Sequence, residues 1–285
     1  MKPGYRSIIV IIVGVLVIVI ATVYVLLYWE NLNPVDKDED EDENSDFVVL
    51  NQQRIQLLRN EVSQELKSFK MKKILQRRDL VLRKENFSNE SQISYYQKYV
   101  TPNNLTVKTY QTSNGLTTAE KIYAAAVKWT WVSDQTLHGK SEWWLYPSQF
   151  IQDTPTDPDN PANGMASDCE SQACTLVSIL EALGTQKSNV RVVVGEVNFS
   201  GEIGGHAWVQ LYENGNWFEL EATSGPFWDD DDQKLVNNIG FSFSYFKTHP
   251  YPVVEYWAFF NDQYYYNPNN NKKSNNLPVW WFETD

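Results

Sequence analysis

Residues 167–184 read SDCESQACTLVSILEALG, the pattern of a helix with a cysteine in its first turn. Ser167 followed three residues later by Glu170 is typical of a capping box, with Ser167 as N-cap and Glu170 as N3. Gly184 is a typical residue at a helix end. At about 100° per residue, one face of the helix is apolar and consists of Cys169, Ala173, Leu176, Leu180 and Leu183. The pattern predicts a helix that turns its first cysteine towards the interior of a domain.

The two cysteines of this helix have different expected roles. In the first turn, free backbone N–H groups and the positive end of the helix dipole favour a thiolate at Cys169. Cys174 points about 140° away around the helix and is predicted to be a buried, inert thiol. A disulfide between them would have to span roughly 8–9 Å between Cα atoms, which is too far for an unstrained bridge. No CxxC motif or closely spaced histidine accompanies either cysteine, so the sequence predicts no metal site.

Three strands are predicted after the helix. The segment VRVVVGEVNF at 190–199 is rich in β-branched residues and indicates a buried strand. The segment GHAWVQLY at 205–212 alternates, ENGN at 213–216 is typical of a tight hairpin turn, and WFELEAT at 217–223 returns as the partner strand. Together they predict an antiparallel sheet against which the cysteine helix packs.

The hairpin register brings a histidine close to a carboxylate. If the turn centres on Asn214 and Gly215, residues whose numbers sum to 429 are paired, so His206 lies opposite Thr223. Glu221 is then displaced diagonally by two residues on the same face, within reach of the imidazole. His138 and His249 have no such partner in the sequence pattern, and we interpret them as structural or solvated.

A thiol, an imidazole and a carboxylate that meet in space have the residue types of a nucleophile, a base and an orienting group. Cys169, His206 and Glu221 are therefore the candidate catalytic residues. We expect Cys169 to attack an amide carbonyl and His206 to protonate the leaving amine. The Cys169 backbone N–H would hold the oxyanion together with a side-chain donor. The candidates for that donor lie in WWLYPSQF at 143–150, namely Trp143, Trp144 and Gln149, although core packing explains the tryptophans equally well.

At these motifs the chain resembles the transglutaminase-like superfamily. The matching segments are SDCESQACTLVSILEALG, VRVVVGEV, GGHAWVQLY and NWFELEAT, and the resemblance covers about residues 115–225. It implies an α+β, papain-like or transglutaminase-like core, with Cys169 as nucleophile, His206 as base and Glu221 as orienting acid. Many members have aspartate where this chain has Glu221, which lengthens the arm by one methylene. The chain looks most like membrane-anchored archaeal members.

The resemblance leaves the activity open, because the superfamily includes cross-linking enzymes, peptidases, amidases and inactive binding domains. We expect thiol acyl transfer on polypeptide or cell-envelope substrates, with hydrolysis preferred to amide transfer because water is always present. The alternative is a catalytically inactive surface module that binds envelope polymers or proteins. The aromatic residues of YPVVEYWAFFNDQYYY and LPVWWFETD would then form a binding platform, although extra strands closing the core explain them more simply.

The N-terminal residues predict a membrane anchor. The segment SIIVIIVGVLVIVIATVYVLLY at 7–28 carries no charge and has the roughly 20 residues needed to cross a bilayer. A cleaved signal peptide usually has a shorter apolar core that ends at small residues. Lys2 and Arg6 precede the span, which predicts a cytoplasmic segment 1–6 and an extracytoplasmic main domain. We therefore expect a single-pass protein of the cell membrane that contacts lipid through this anchor.

The rest of the chain divides into a linker, a stalk and a domain. Residues 29–46 are acidic and predict an extended linker, and residues 47–84 predict an amphipathic helix. Residues 85–285 would form the domain, with its core at about 115–225 and an aromatic C-terminal extension at 226–285. Inside the core, 117–132 predicts a helix capped by Thr117 or Thr118, and 154–164 predicts a surface loop rich in proline and asparagine.

Charge excludes one class of partner. The net charge of −12 argues against nucleic acid, because phosphate binding needs a basic surface. Nothing in the sequence predicts a cofactor, and it does not predict an oligomeric state.

Overall fold

A computed structural model describes residues 52–57, 93–153, 159–162 and 164–283. The chain divides into two compact units, Met1–Arg59 and Asn60–Asp285. In the first unit, residues 52–57 are helical. The predicted anchor at 7–28, the linker at 29–46 and the remainder of the stalk at 47–84 lie outside the described residues. Within the described ranges, no helix combines the length and the hydropathy that crossing a bilayer demands.

The second unit contains six α-helices within the described residues. In chain order they are α1 Ile93–Gln97, α2 Leu105–Ser113, α3 Ala119–Ala126, α4 Asp134–His138, α5 Pro147–Asp153 and α6 Cys169–Leu183. Short 3-10 turns cover Lys187–Asn189, Ala222–Ser224, Tyr245–Lys247 and Val279–Phe282.

The strands of the described residues form two sheets. In chain order they are β1 Thr130–Trp131, β2 Ala166–Ser167, β3 Val190–Phe199, β4 Glu202–Glu213, β5 Asn216–Leu220, β6 Phe227–Asp229, β7 Lys234–Val236, β8 Val253–Phe260, β9 Tyr265–Asn267 and β10 Lys272–Lys273. The larger sheet is antiparallel with the order β10-β9-β8-β3-β4-β5, and the smaller has the order β2-β1-β6-β7. Helices packed on an antiparallel sheet make this an α+β fold, as predicted.

The cysteine helix is central to the unit. Helix α6 packs against β3 and β4 on one side and against α2, α3 and α5 on the other. Burial of this helix extends beyond the predicted apolar face, because the first thirteen of its fifteen residues are buried. It ends as predicted at Gly184, which has the left-handed φ of 108° that favours glycine.

The predicted capping box is also wrong. Ser167 belongs to β2, where it pairs with Trp131 of β1, so its backbone is committed to a strand. Asp168 is the N-cap and makes no side-chain capping bond. Cys169 is consequently the first residue of the helix, and the chain passes directly from strand to helix at the thiol.

The predicted hairpin register is confirmed. Strands β4 and β5 pair from Glu213↔Asn216 to Val209↔Leu220, and every pair sums to 429. Asn214 and Gly215 both have positive φ, at 54° and 88°, as a two-residue hairpin turn requires. Strand β3 covers the whole predicted segment 190–199 and lies between β4 and β8.

The helix predicted at 117–132 is shorter than its sequence pattern suggests. It is capped by Thr118, whose hydroxyl accepts from the Lys121 N–H at 3.2 Å, and it ends at Ala126. Thr130 and Trp131 instead form β1, which pairs in parallel with both β2 and β6. Backbone pairing with segments far along the chain therefore overrides the local helix propensity.

The aromatic C-terminal extension closes the outer face of the large sheet. Strands β8 and β9 extend the sheet, which confirms the simpler interpretation of YPVVEYWAFFNDQYYY. The described part of LPVWWFETD, residues 277–283, adds no strand, since Val279–Phe282 forms a 3-10 turn. Arg191 stabilises this turn, because its buried guanidinium donates to the carbonyls of Trp281 (2.8 Å) and Glu283 (3.0 Å). The same guanidinium lies over the rings of Trp217 and Phe259.

Candidate active site

Cys169 is buried where strand β2 turns into helix α6. Its side chain has no solvent-exposed area. The thiol donates to the Glu170 carboxylate at 3.2 Å and accepts from the backbone N–H of Ala207 at 3.2 Å. Ala207 follows His206 in β4, so the thiol contacts the backbone immediately beside the candidate base.

The thiol occupies an edge of β4 that β5 has left. The last pair of the hairpin ladder is Val209↔Leu220. Ladder bonds on one edge of an antiparallel strand recur at every second residue, so the N–H of Ala207 faces the same edge as that of Val209. The register would place Ala222 opposite Ala207, but Ala222 belongs to a 3-10 turn. The Cys169 sulfur accepts the bond from the Ala207 N–H instead. The early end of β5 thus makes room for the N-terminus of α6.

His206 and Glu221 form a buried pair. His206 Nε2 and Glu221 Oε2 are 2.6 Å apart, and neither side chain has exposed area. The ladder has ended before Thr223, so the predicted pairing of Thr223 opposite His206 does not form. Instead Glu221 caps the turn Ala222–Ser224 and its side chain reaches the imidazole. The structure therefore brings together the histidine and the carboxylate that the register predicted to be neighbours.

Glu221 is held by donors at both carboxylate oxygens. Oε1 accepts from the Thr223 N–H at 3.0 Å and from the Thr223 hydroxyl at 2.6 Å, while Oε2 accepts from His206 and from the Tyr251 hydroxyl. Burial by itself would raise the pKa of Glu221. The charge of His206 and the hydrogen bonds from His206, Thr223 and Tyr251 outweigh it and hold the pKa below its usual value.

This ionised carboxylate determines the tautomer of the histidine. Because Glu221 accepts and does not donate, Nε2 of His206 must carry the proton in their bond. Nδ1 is then the nitrogen that can take up a further proton. A carboxylate that selects the tautomer of a base in this way performs the orienting part of a catalytic triad.

Tyr251 is a member of the site that the sequence did not reveal. Its hydroxyl donates to Glu221, thirty residues away in the chain. Its ring lies 5.0 Å from the ring of Trp208, which in turn stacks on His206 at 6.1 Å and 16°. The aromatic density of residues 251–266 indicated only buried strands, and no spacing pointed from Tyr251 to Glu221.

The three predicted oxyanion donors have other surroundings. The indole N–H of Trp144 donates to Glu142, and its ring packs on Tyr96 and Tyr99. The Gln149 side chain is exposed, and its Oε1 accepts from the Tyr146 N–H at 2.9 Å. The Trp143 ring is 42% exposed and carries Lys140 over its face. The described contacts join none of the three to Cys169, so their role stays a prediction.

Two acidic residues flank Cys169 in the chain. One atom each of Asp168, Cys169 and Glu170 lies within 4.8 Å of the others, and all three residues are buried. Such a set could hold a divalent cation, but acidic groups of this kind are common without one, and we infer no metal centre.

Cys174 is buried and unbridged, and burial together with the charge of Glu170 raises the pKa of its thiol well above the usual value. Cys174 is buried as the sequence predicted, and its raised pKa disfavours the reactive thiolate form.

The other two histidines lie elsewhere. The His249 ring stacks on Tyr245 at 4.3 Å, and its Nδ1 lies 2.9 Å from the Tyr245 carbonyl oxygen. His138 packs beside Trp143 at 6.1 Å between ring centroids. Neither of these contacts involves Cys169.

Comparison with known proteins adds a weak structural likeness. No protein-family model matches the chain, and neither does any curated protein. Calcium-bound LapG of Legionella pneumophila is similar at a TM-score of 0.36 and 15% identity, covering 57% of this chain and 74% of LapG. EGTA-treated LapG is similar at 0.36 and 14%, covering 55% and 70%. At this TM-score the likeness supports no conclusion about fold or activity.

Proposed function

We propose that this chain is a thiol acyl-transfer enzyme in which Cys169 is the nucleophile, His206 the base and Glu221 the orienting acid. One observation carries the proposal: a buried His206–Glu221 pair, 2.6 Å between Nε2 and Oε2, lies beside a thiol that contacts the next backbone N–H of the same strand. A buried imidazole with a fixed tautomer beside a thiol is the arrangement that nucleophilic acyl transfer requires.

The reaction would run in two steps. The thiol proton passes to Nδ1 of His206, and the sulfur attacks the carbonyl carbon of an amide. The C–N bond of the tetrahedral intermediate then breaks, His206 returns the proton to the leaving amine, and a thioester remains on Cys169. A water molecule attacks the thioester while His206 takes a proton from it. The C–S bond then breaks and His206 gives this proton to the departing sulfur, which releases a carboxylic acid and restores the thiol. A primary amine in place of water would complete amide transfer.

The backbone N–H of Cys169 supports the charge that develops on the carbonyl oxygen. It belongs to the first turn of α6, where helix N–H groups lack intrahelical acceptors and the dipole favours negative charge. Such preorganised donors stabilise an oxyanion in acyl transfer. Trp143, Trp144 and Gln149 are the predicted candidates for a second donor.

Substrate access requires the site to open. Cys169, His206 and Glu221 have no exposed area in this conformation, and the thiol proton is directed at Glu170. An acyl substrate can reach the sulfur only after neighbouring segments move apart. Opening of this kind commonly accompanies substrate binding in enzymes.

The proposed substrate is an extracytoplasmic polypeptide or a cell-envelope peptide, with hydrolysis as the outcome. The predicted anchor at 7–28 and the charges before it support that location. Peptide amides suit thiol acyl chemistry, and water is present at all times. An inactive binding module of the same fold is the competing function.

The test uses the full chain in detergent with four variants, Cys169→Ala, His206→Ala, Cys174→Ala and His249→Ala. Each preparation is incubated with a peptide mixture, with and without a primary amine, and the products are identified by mass spectrometry. We expect cleavage that is lost in Cys169→Ala and His206→Ala and kept in the two control variants. Amine incorporation would identify transfer rather than hydrolysis. Peptide binding without any turnover, unaffected by Cys169→Ala, would establish the binding module instead.

A further inference from the structure

Tyr251 is fixed in place by the large sheet before β8 begins. The carbonyl of Pro252, the next residue, accepts from the N–H of Asn198 in β3 at 2.8 Å. The Tyr251 ring is partly exposed and packs edge-on against Phe199 (5.6 Å) and Phe246 (4.9 Å). Anchored backbone and packed ring together leave the hydroxyl little freedom.

The hydroxyl acts on the same oxygen that His206 uses. Tyr251 and His206 both donate to Oε2 of Glu221, whereas Thr223 supplies both donors at Oε1. Burial of the hydroxyl, then the charge of Glu221, raises the pKa of Tyr251 well above its usual value. The hydroxyl therefore keeps its proton and remains a donor throughout the pH range in which proteins work.

Two donors on one oxygen change what that oxygen can do. An acceptor that is already shared is less basic, so Oε2 is a poorer site for a proton than the oxygen of a carboxylate bonded to His206 alone. The proton between Nε2 and Oε2 is then retained by the imidazole. The imidazole ring of His206 also stacks on Trp208, which packs against the ring of Tyr251.

We propose that Tyr251 is a positioning residue of this site: its hydroxyl keeps Glu221 ionised and so keeps the His206 proton on Nε2, which leaves Nδ1 to serve the Cys169 thiol. The role of Tyr251 in turnover rests on the proposed function. The effect of Tyr251 on Glu221 and His206 is a property of the folded chain. Tyr251 acts through Glu221 and transfers no proton itself.

The decisive variant is Tyr251→Phe, which removes the hydroxyl and keeps the ring. Its matched control is Tyr256→Phe, because Tyr256 is the other tyrosine against Trp208, at 6.0 Å between centroids. Both are measured in the full chain by nitrogen NMR of the histidines as a function of pH. The chain has three histidines, and His206→Ala assigns the signal of interest.

As the pH is lowered, His206 should lose the NMR signal of a protonated Nε2 that is bonded to a carboxylate. We expect this loss to occur at a higher pH in Tyr251→Phe than in the wild type. The reason is that removing a donor that lowers the pKa of Glu221 moves this pKa upward. If the chain cleaves peptides, the acid limb of its pH–rate profile should also move to higher pH. The value of kcat should fall about tenfold, which is the effect of one charged hydrogen bond. Tyr256→Phe should leave both readouts unchanged.

The two proposals can fail separately. An NMR titration that is identical in Tyr251→Phe and the wild type would overturn the role of Tyr251, whatever the activity. A shifted titration in a chain without peptide cleavage would sustain the role of Tyr251 at Glu221 and reject the enzyme. Equal shifts of the His206 titration in Tyr251→Phe and Tyr256→Phe would show that Tyr251 acts only through the packing of its ring.

Discussion

Ala207 donates its backbone N–H to the sulfur of Cys169 at 3.2 Å, at the sheet edge where β5 has ended. This contact joins the helix that carries the nucleophile to the strand that carries the base. The donor is a backbone group of β4 and the acceptor is the Cys169 side chain. Side-chain substitutions in β4 therefore leave the donor in place unless they move the strand, whereas Cys169→Ala removes the acceptor.

Gly195 is a position where such a movement is expected. It pairs with His206 in the sheet, and a Cβ there would lie 2.3 Å from the Glu255 carbonyl oxygen and 3.1 Å from the Trp208 side chain. Gly195→Ala should push β3 and β8 apart and destabilise the fold by about 2–4 kcal/mol. Chemical denaturation measures this, with Gly164→Ala as control because its nearest neighbour is 4.0 Å away. Equal stabilities of the two variants would contradict the close packing at Gly195.

Glu221 should make the stability depend on acid pH. Its folded-state pKa is lowered, so its contribution is present above the usual carboxyl pKa of 4.5 and is lost as pH falls below that value. Glu221→Gln should cost about 3–5 kcal/mol at neutral pH, because it leaves the buried His206 without its carboxylate. The cost should shrink in urea titrations carried out below about pH 4. A cost that is independent of pH would show that Glu221 is not held ionised.

Glu181 should have the opposite pH dependence. It lies near the end of α6, where burial, then the neighbouring Asp262, raises its pKa to about 9. A carboxyl whose folded pKa is raised stabilises the fold most below its unfolded pKa of 4.5, and this contribution is lost as pH rises towards 9. Above about pH 8, Glu181→Gln should therefore have a free energy of unfolding at least ~1 kcal/mol larger than that of the wild type. It should accordingly unfold at a higher temperature.

Thermal unfolding across pH tests this, and Asp262→Asn is the companion variant. Removing the Asp262 charge should lower the pKa of Glu181 and flatten the wild-type decline between neutral and alkaline pH. Identical slopes in the wild type and Glu181→Gln would reject a protonated Glu181 in the folded state.

Arg191 should be irreplaceable by lysine. Its guanidinium donates to Gln210 at 2.8 Å and to the carbonyls of Trp281 and Glu283, and these contacts need several N–H groups in fixed directions. Arg191→Lys should destabilise the chain by about 3–5 kcal/mol, because the buried charge loses most of its acceptors. Limited proteolysis should then cut near residues 277–283 first. The control is Lys108→Arg at an exposed hydrogen bond, which should leave proteolysis unchanged.

The sequence predicted those parts of the site that depend on local geometry. The turn at Asn214 and Gly215 determines the register of β4 and β5, and that register places Glu221 near His206. The helix after Cys169 follows from its residue pattern. Within the hairpin, the end of the ladder was missed: Glu221 reaches His206 from a turn rather than from a paired strand.

The remaining features depend on partners that are distant in the chain. Strand β2 replaces the predicted cap at Ser167 because Trp131 pairs with it, and the helix at 117–132 ends early for the same reason. Tyr251 reaches Glu221 across thirty residues of turns and a short strand pair, which have no periodic pattern. Contacts of this kind arise from the packing of the whole unit, and single-segment patterns carry no information about them.

The hydrogen bonds from Arg191 to the C-terminal turn can form only late in synthesis. Their two acceptors lie 90 and 92 residues further along the chain. At roughly 5–20 residues per second, the ribosome needs about 5–18 s to add them. During that interval the guanidinium lacks its two carbonyl acceptors, while Gln210 and the ring of Trp217 are already in the chain. The outer face of β3 therefore stays hydrated until the last aromatic residues arrive to cover it.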